Sequence, residues 1–252
     1  MKNLKAIISI FFFGVTITTI AQNKNFTKGS QQWIQYYNQT KISKKWTWST
    51  DGGYRFNEMF KNPSQYIVRT GFSYQLNTHM KASAGFAHLG FYTSKKLSKI
   101  EYRPYQEFAL SDKYNKLGIQ HRFRIEERYF QNVFDGNIQP GDNFNLRFRY
   151  LFLLNFTIIK LSSTNPERVL SINLGDEIFI NAGKEIVYNV FDQNRILMGT
   201  ALEFTKSFTI AITYNSQYAA YNSSNNYNHT GVIWLAIKHN LDITRDEKQQ
   251  SK

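Results

Sequence analysis

The feature that most constrains this chain is a succession of long segments in which charged and apolar side chains alternate. In HRFRIEERYF, residues 121–130, the two sets are Arg122, Arg124, Glu126 and Arg128 against Phe123 and Ile125. Successive side chains of a strand point to opposite faces, so such a segment has one charged face and one apolar face. In water the charged face lies outside over a buried core, whereas a transmembrane barrel has its apolar face outside and its polar face inside.

Eleven segments of this kind follow one another, and none of them has a helical period. We predict strands at 31–39, 45–56, 64–76, 79–92, 100–111, 115–130, 143–158, 168–181, 191–205, 208–221 and 229–243. Most of these segments are longer than the roughly five or six residues usual in soluble sheets. They reach the roughly 9–11 residues with which a tilted strand crosses a membrane.

Short connections alternate with longer polar connections along the chain. The short ones are NTH at 77–79, SDKYN at 111–115 and TKS at 205–207. The longer ones are TSKKLSK at 93–99, QNVFDGNIQPGDN at 131–143, NAGKEIVYN at 181–189 and YNSSNNYNH at 221–229. Short periplasmic turns opposite longer extracellular loops are typical of an outer-membrane barrel.

The apolar faces are long enough to span a bilayer. One phase of segment 143–158 consists of Phe144, Leu146, Phe148, Tyr150, Phe152, Leu154, Phe156 and Ile158. At about 3.3 Å per residue this stripe crosses the hydrocarbon layer even when the strand is tilted. Aromatic residues near strand ends fit interfacial bands, among them Trp46, Trp48, Tyr54, Tyr129, Tyr150 and Tyr218.

We therefore predict an all-β fold, a transmembrane antiparallel up-and-down β-barrel of about 10–12 strands. The alternative is a soluble sandwich or lipocalin-like barrel, which would bury the apolar stripes and expose the arginines. Single-chain bacterial barrels usually have an even number of strands. The eleven segments then predict ten strands, with 31–39 outside the wall, or twelve, with one strand merged or missed. The polar end ITRDEKQQSK, residues 243–252, lacks the final aromatic residue of many such barrels.

The amino terminus predicts export. Met1–Lys5 carries two lysines, and the fifteen residues Ala6–Ile20 carry no charge. This run is shorter than the roughly 20 residues of a membrane-spanning helix, so we expect a signal peptide, 1–21, cleaved after Ala21, in preference to an anchor. A short segment, 22–30, then precedes the barrel domain, 31–243, which is followed by a polar tail, 244–252. The predicted location is the cell outer membrane.

The composition narrows the classes of partner that the chain can be expected to bind. Cysteine is absent, so disulfides do not hold this exported chain together. The formal charge of +13 falls to +11 without the two signal-peptide lysines, which suggests an anionic partner. The basic residues are spread through strand-like segments, which argues against nucleic acid. Mean hydropathy is −0.46, which excludes a bundle of membrane helices.

Several short motifs together resemble a known family. They are EYRPYQ at 101–106, the Arg-x-Arg-x-Glu-x-Arg pattern at 122–128, RFRY at 147–150, EIFIN at 177–181 and DQNR at 192–195 followed by Gly199. Because it has these motifs in this order, the chain resembles the outer-membrane proteins grouped as domain of unknown function 2490. The resemblance covers most of the chain after the signal peptide. It implies a β-barrel in the outer membrane of a Gram-negative bacterium and assigns no activity.

The inward phase collects an unusual set of charges, nine arginines against six acids. Its members are Asp51, Arg55, Arg69, Glu101, Arg103, Glu107, Arg122, Arg124, Glu126, Arg128, Arg147, Arg149, Glu177, Arg195 and Glu203. Because arginine holds carboxylates in two-point pairs, one interpretation is a salt-bridge lattice that braces a narrow barrel. The other is a porin-like constriction whose excess of arginine attracts a small anionic solute. A lattice with unpaired arginines would do both.

A membrane-embedded lipid or lipid A hydrolase is the alternative function, and it needs a histidine near a serine. We place His79 and His229 in turns or loops and His88, His121 and His239 in the apolar phase. Ser83 and Ser216 stay open as nucleophiles. Glu127, in the outward phase, is predicted at the headgroup level beside lipopolysaccharide unless a bulge turns it inward.

No metal cluster, phosphate loop or nucleotide motif appears in the sequence, so we expect no cofactor. The sequence thus predicts a monomeric barrel in contact with outer-membrane lipid and lipopolysaccharide. Its predicted role is either structural or that of a narrow channel for small solutes, with anionic solutes as candidates.

Overall fold

The computed structural model describes residues 25–141, 143–165, 167–221, 223 and 225–244. Within these ranges the chain forms strands joined by turns and loops, and no helix there is long and apolar enough to cross a membrane. The strands are β1 (Asn25–Lys41), β2 (Trp46–Asn57), β3 (Asn62–Gln75), β4 (Met80–Thr93), β5 (Lys96–Tyr114), β6 (Leu117–Phe134), β7 (Asn137–Ile138), β8 (Asn143–Lys160), β9 (Val169–Ala182), β10 (Phe191–Thr205), β11 (Phe208–Ala220) and β12 (Asn226–Asp242).

The strands close into a barrel, as predicted. The order around the wall is β5-β4-β3-β2-β1-β12-β11-β10-β9-β8-β6, and pairing of β5 with β6 closes it. The two-residue β7 pairs only with the end of β6, so the wall has eleven strands. This number falls within the predicted range, but the expectation of ten or twelve is wrong. With an odd number the first and last strands run in the same direction, and β1 pairs with β12 in parallel.

The two ends of the barrel differ in their connections. The short-turn end carries the connections 42–45, 76–79, 115–116, 161–168 and 206–207. The long-loop end carries 58–61, 94–95, 135–142, 183–190 and 221–225. The predicted long connection at 93–99 is wrong, because Ser94 and Lys95 form a two-residue turn with positive φ angles of 51° and 66°. The connection 161–168 is correspondingly long for its end.

The segment boundaries differ most at the chain ends. β1 begins at Asn25, so residues 25–30, predicted to precede the barrel, lie in its first strand. The predicted signal peptide, 1–21, lies outside the described residues, as do 22–24 and the tail beyond Thr244.

The two faces of the wall carry opposite chemistry. Large apolar side chains are half exposed on the outer face, for example Val68 (57 %) and Met198 (60 %). On the inner face Glu101 and Glu126 are fully buried. Regular alternation along each strand produces this separation, and it is the inverse of the distribution found in a water-soluble protein.

Aromatic side chains on the outer face cluster toward both ends. At the short-turn end the rings of Trp46 and Tyr74 lie 4.9 Å apart, centre to centre. At the long-loop end the rings of Tyr129 and Phe144 lie 4.8 Å apart. Between these bands the outer face carries aliphatic and phenylalanine side chains, together with Tyr150 near the middle of β8 and Tyr214 near the middle of β11.

Candidate functional site

Five neighbouring strands, β5, β6, β8, β9 and β10, direct charged side chains into the lumen. Because adjacent strands lie about 4.8 Å apart, inward residues at the same height are within reach of one another. Contacts of 4.0 Å or less join twelve of them into one network, which we call the lattice. Its members are Glu101, Arg103, Glu107, Arg122, Arg124, Glu126, Arg128, Arg147, Arg149, Glu177, Asp192 and Arg195.

Glu126 on β6 is the centre of the lattice. One of its oxygens accepts from Arg147 and the other from Arg149, each at 2.5 Å. Arg103 and Arg124 lie farther away, at 3.7 and 3.8 Å. The carboxylate is inaccessible to water, and four guanidinium groups therefore take the place of its hydration shell.

Two carboxylates of β5 continue the lattice on either side. Glu101 accepts from Arg103 at 2.6 Å and from Arg128 at 2.8 Å. Glu107 accepts from Arg124 at 2.5 Å. Each pair consists of residues on the same or adjacent strands, so the ladder register itself brings the charges together.

Glu177 on β9 connects the lattice across three strands. Its Oε1 accepts from Arg122 at 2.6 Å and from Arg149 at 2.7 Å. Arg195 on β10 lies 3.8 Å from Oε2 and donates instead to the amide oxygen of Gln217 at 3.1 Å. The lattice thus spans β5 to β10 without interruption.

Two aromatic side chains fill the lumen between the arginines. Phe179 is fully buried, with the guanidinium carbons of Arg149 and Arg195 at 4.4 and 4.6 Å from its ring centre. Trp33 on β1 is equally buried, and Arg55 stacks on it at 3.9 Å. Flat guanidinium groups stack on aromatic faces, so these rings fill space that a charge lattice alone would leave open.

Asp192 is a member of the lattice that the alternation did not predict. A register shift between Phe191 and Gln193 leaves it as an extra residue in β10 and turns its side chain inward. There it accepts from Arg147 at 2.9 Å and from the amide of Asn181 at 3.1 Å. A bulge next to a strand end has no clear signal in the sequence.

The remaining predicted lumen charges lie apart from the lattice. Arg69 donates to Asp51 at 2.9 Å on the opposite side of the barrel. Arg55 donates to Gln65 at 2.5 Å. Glu203, nearer the short-turn end, makes no ion pair of 4.0 Å or less within the described ranges. The lattice itself has seven arginines and five carboxylates, an excess of two positive charges.

The outer face has a repeated polar contact of its own. Four outward histidines each share a hydrogen bond of 2.8–2.9 Å with a hydroxyl group on an adjacent strand: His88 with Tyr66, His121 with Tyr150, His229 with Ser216 and His239 with Tyr36. The prediction that His229 lies in a loop is wrong, because β12 begins three residues earlier. His79 lies in a turn, as predicted, 2.5 Å from Asp112. Glu127 faces outward and accepts from Gln106 at 3.2 Å.

Comparison with known proteins relates the chain to a protein family. The family model described as "Protein of unknown function (DUF2490)" matches residues 30–228. No curated protein and no solved structure matches the chain.

Proposed function

The chain belongs to the family described as "Protein of unknown function (DUF2490)", and from that premise we propose that it is an outer-membrane β-barrel braced and closed by its arginine–carboxylate lattice. The family name assigns no activity, so the proposal depends on the geometry of the lumen. The observation that carries it is the complete burial of Glu126 beneath four arginines.

Two observations and one sequence prediction support a location in the outer membrane. The outer face exposes aliphatic side chains between two aromatic bands, which suits lipid flanked by headgroups. The inner face holds the charges, as in barrels that cross a membrane. The predicted signal peptide directs the chain out of the cytoplasm.

The burial of the lattice favours a structural brace over an open channel. Three of its carboxylates, Glu101, Glu126 and Glu177, have at most 3 % of their surface exposed, so they do not line a hydrated pore. An open pore would leave such groups hydrated, because a buried charge is costly unless it is fully paired. Barrels with few strands also have little room left in the lumen once long side chains fill it.

Planar-bilayer recording tests the closed state. We expect the refolded wild-type protein to give no steady conductance. Glu126→Gln should produce anion-selective steps, because it removes one carboxylate from a lattice that already has an excess of arginine. Glu127→Gln is the matched control: it changes the neighbouring carboxylate, which faces outward, and should stay silent.

Reproducible open steps in the wild-type protein would contradict a closed lumen and favour the narrow anion channel instead. Membrane fractionation tests the location separately. We expect the protein in the outer-membrane fraction, with slower migration on gels after boiling than before it. Recovery in the soluble periplasmic fraction would overturn the membrane assignment.

A lipid hydrolase is the second candidate, because Ser216 Oγ and His229 Nε2 lie 2.8 Å apart on the outer face. The same geometry recurs in three tyrosine–histidine pairs, and a lipid-facing imidazole needs a hydrogen-bond partner in any case. We therefore assign all four pairs one structural role. Phospholipid or lipid A hydrolysis that Ser216→Ala abolishes and Ser83→Ala retains would establish the hydrolase.

A further inference from the structure

A pocket opens above the lattice at the long-loop end. Its volume is about 270 Å³. It is lined by residues of the strands that carry the lattice, by the connection 183–190, and by Ala220 and Tyr221 at the end of β11. Asn189 in that connection donates its side-chain amide to the backbone oxygens of Tyr221 and Ser223, at 3.0 and 3.2 Å. The wall of the pocket is therefore held in place by hydrogen bonds between two loops.

The charges that line this pocket cancel. Lys99 and Arg128 contribute two positive charges, and Glu185 and Asp192 contribute two negative charges. The carboxylates disfavour an anion, and the cationic groups disfavour a metal ion. The lining therefore favours a ligand that is polar and uncharged.

Two side-chain amides of the lining have unused hydrogen-bonding capacity. Asn181 is nine-tenths buried, and its Oδ1 has no donor within the described part of the chain. The Oδ1 of Asn145, across the β8–β9 ladder, is buried and equally without a donor there. Buried amide oxygens normally accept a hydrogen bond, so both point to a ligand that brings hydroxyl groups.

An aromatic ring completes the pocket. Phe130 faces inward from β6, with the guanidinium of Arg128 over its ring at 4.6 Å and the ammonium group of Lys99 at 5.7 Å. Amide and carboxylate groups beside an aromatic ring suit a molecule with hydroxyl groups around its edge and C–H groups on its face. This is the chemistry of a pyranose sugar, and the volume lies near the lower limit of roughly 300 Å³ for small-molecule pockets.

We propose that this pocket binds a neutral saccharide, one pyranose unit at a time. The site goes beyond the closure of the barrel, because the lattice lies beneath it and the sugar does not have to pass through. Asn145 and Asn181 line the pocket, and small side-chain shifts on binding expose their buried oxygens to sugar hydroxyls. Asp192 holds the amide nitrogen of Asn181, and Phe130 contacts the sugar face.

Isothermal titration calorimetry on the refolded protein tests the proposal. The probes are methyl β-D-glucopyranoside, methyl β-D-galactopyranoside and methyl α-D-mannopyranoside, with inorganic phosphate as the anionic comparison. The detergent must be lauryldimethylamine oxide, since maltoside and glucoside detergents would themselves occupy a sugar site. We expect saturable binding of at least one glycoside and none of phosphate.

Two variants assign the binding to this pocket. Asn145→Leu removes an amide whose Oδ1 accepts no hydrogen bond from the described residues, so the barrel should fold and binding should weaken about tenfold. Phe130→Leu keeps an apolar side chain but removes the ring, and should also weaken binding. Asn155→Leu, on the same face of β8 near the short-turn end, is the control. It removes a hydrogen bond of 2.8 Å to Asn173 outside the pocket and should bind like the wild type.

Three outcomes would overturn the proposal: no saturable glycoside signal, tighter binding of phosphate than of any glycoside, or equal loss in Asn155→Leu and Asn145→Leu. Conductance does not enter this test. The pocket and the closed lumen can therefore fail independently.

Discussion

The five strands that carry the lattice differ in their inner faces from the two strands that flank them, β4 and β11. β5, β6, β8, β9 and β10 direct arginines and carboxylates inward. Along part of their length the flanking strands direct short side chains inward instead: Ser83, Gly85 and Ala87 on β4, and Thr209, Ala211, Thr213 and Asn215 on β11. The difference shows that the lattice needs space as well as partners, because long side chains lean sideways over the short ones.

Tyr105 shows how this works. It points inward from β5 and lies over the backbone of β4 and β3, so that a Cβ atom on Gly85 would overlap with its hydroxyl group. The guanidinium of Arg124 stacks on the ring of Tyr105, 4.6 Å from its centre. The glycine of the flanking strand thus determines how a lattice arginine is held.

Removal of the central carboxylate should have the largest effect on this arrangement. Glu126→Gln leaves four arginines around a neutral side chain, and we expect the free energy of unfolding to fall by about 3–5 kcal/mol. Urea unfolding of the refolded protein measures the change. Glu127→Gln, one residue along on the outer face, should change it by less than about 1 kcal/mol. Equal losses in the two variants would show that the lattice has no special role in stability.

A larger residue at Gly85, on the flanking strand β4, should have the second largest effect on stability. Gly85→Val places atoms against the Tyr105 hydroxyl and the backbone oxygen of Thr70, and we expect a loss of about 2–3 kcal/mol. Gly118→Val on β6 is the control, since a Cβ atom there would meet its nearest neighbour at an ordinary 3.6 Å. If both glycines tolerate valine equally, the flanking strands do not make room for the lattice.

The bulge residue should have a smaller effect. Asp192→Asn weakens one of the two charge-assisted contacts of Arg147 and leaves Glu126 in place, so we expect a loss of about 1.5 kcal/mol. Asp176→Asn, which faces outward on β9, serves as the control. A larger loss at the outer site would mean that Asp192 contributes little to the lattice.

The comparison of the walls also shows what the alternation could predict. Where a strand is regular, its phase alone places Arg122, Arg124 and Glu126 on the inner face. The phase fails at Asp192, because an inserted residue reverses it without a local signal. Phe179 was equally hard to foresee: it is apolar in a polar phase, and its burial depends on arginines from β8 and β10.

The number of strands could be counted but not explained from the sequence. Eleven segments were visible, yet the rule of even numbers argued against them. Parity is a property of the closed wall, since it depends on how the first and last strands meet. Here β1 and β12 meet in parallel along the full length of both strands, which no local pattern indicates.

Asn215 on the flanking strand β11 should have the smallest effect, and the opposite sign. It is fully buried, and neither its amide nitrogen nor its oxygen has a partner in the described part of the chain. Asn215→Leu removes an unpaired polar group at similar volume, so we expect the free energy of unfolding to rise by about 1 kcal/mol in the same urea experiment. Thr213→Val, two residues along on the same face, controls for the general effect of an apolar side chain there. If Asn215→Leu destabilises the barrel while Thr213→Val does not, the amide serves the lattice, and the flanking strand contributes chemistry as well as space.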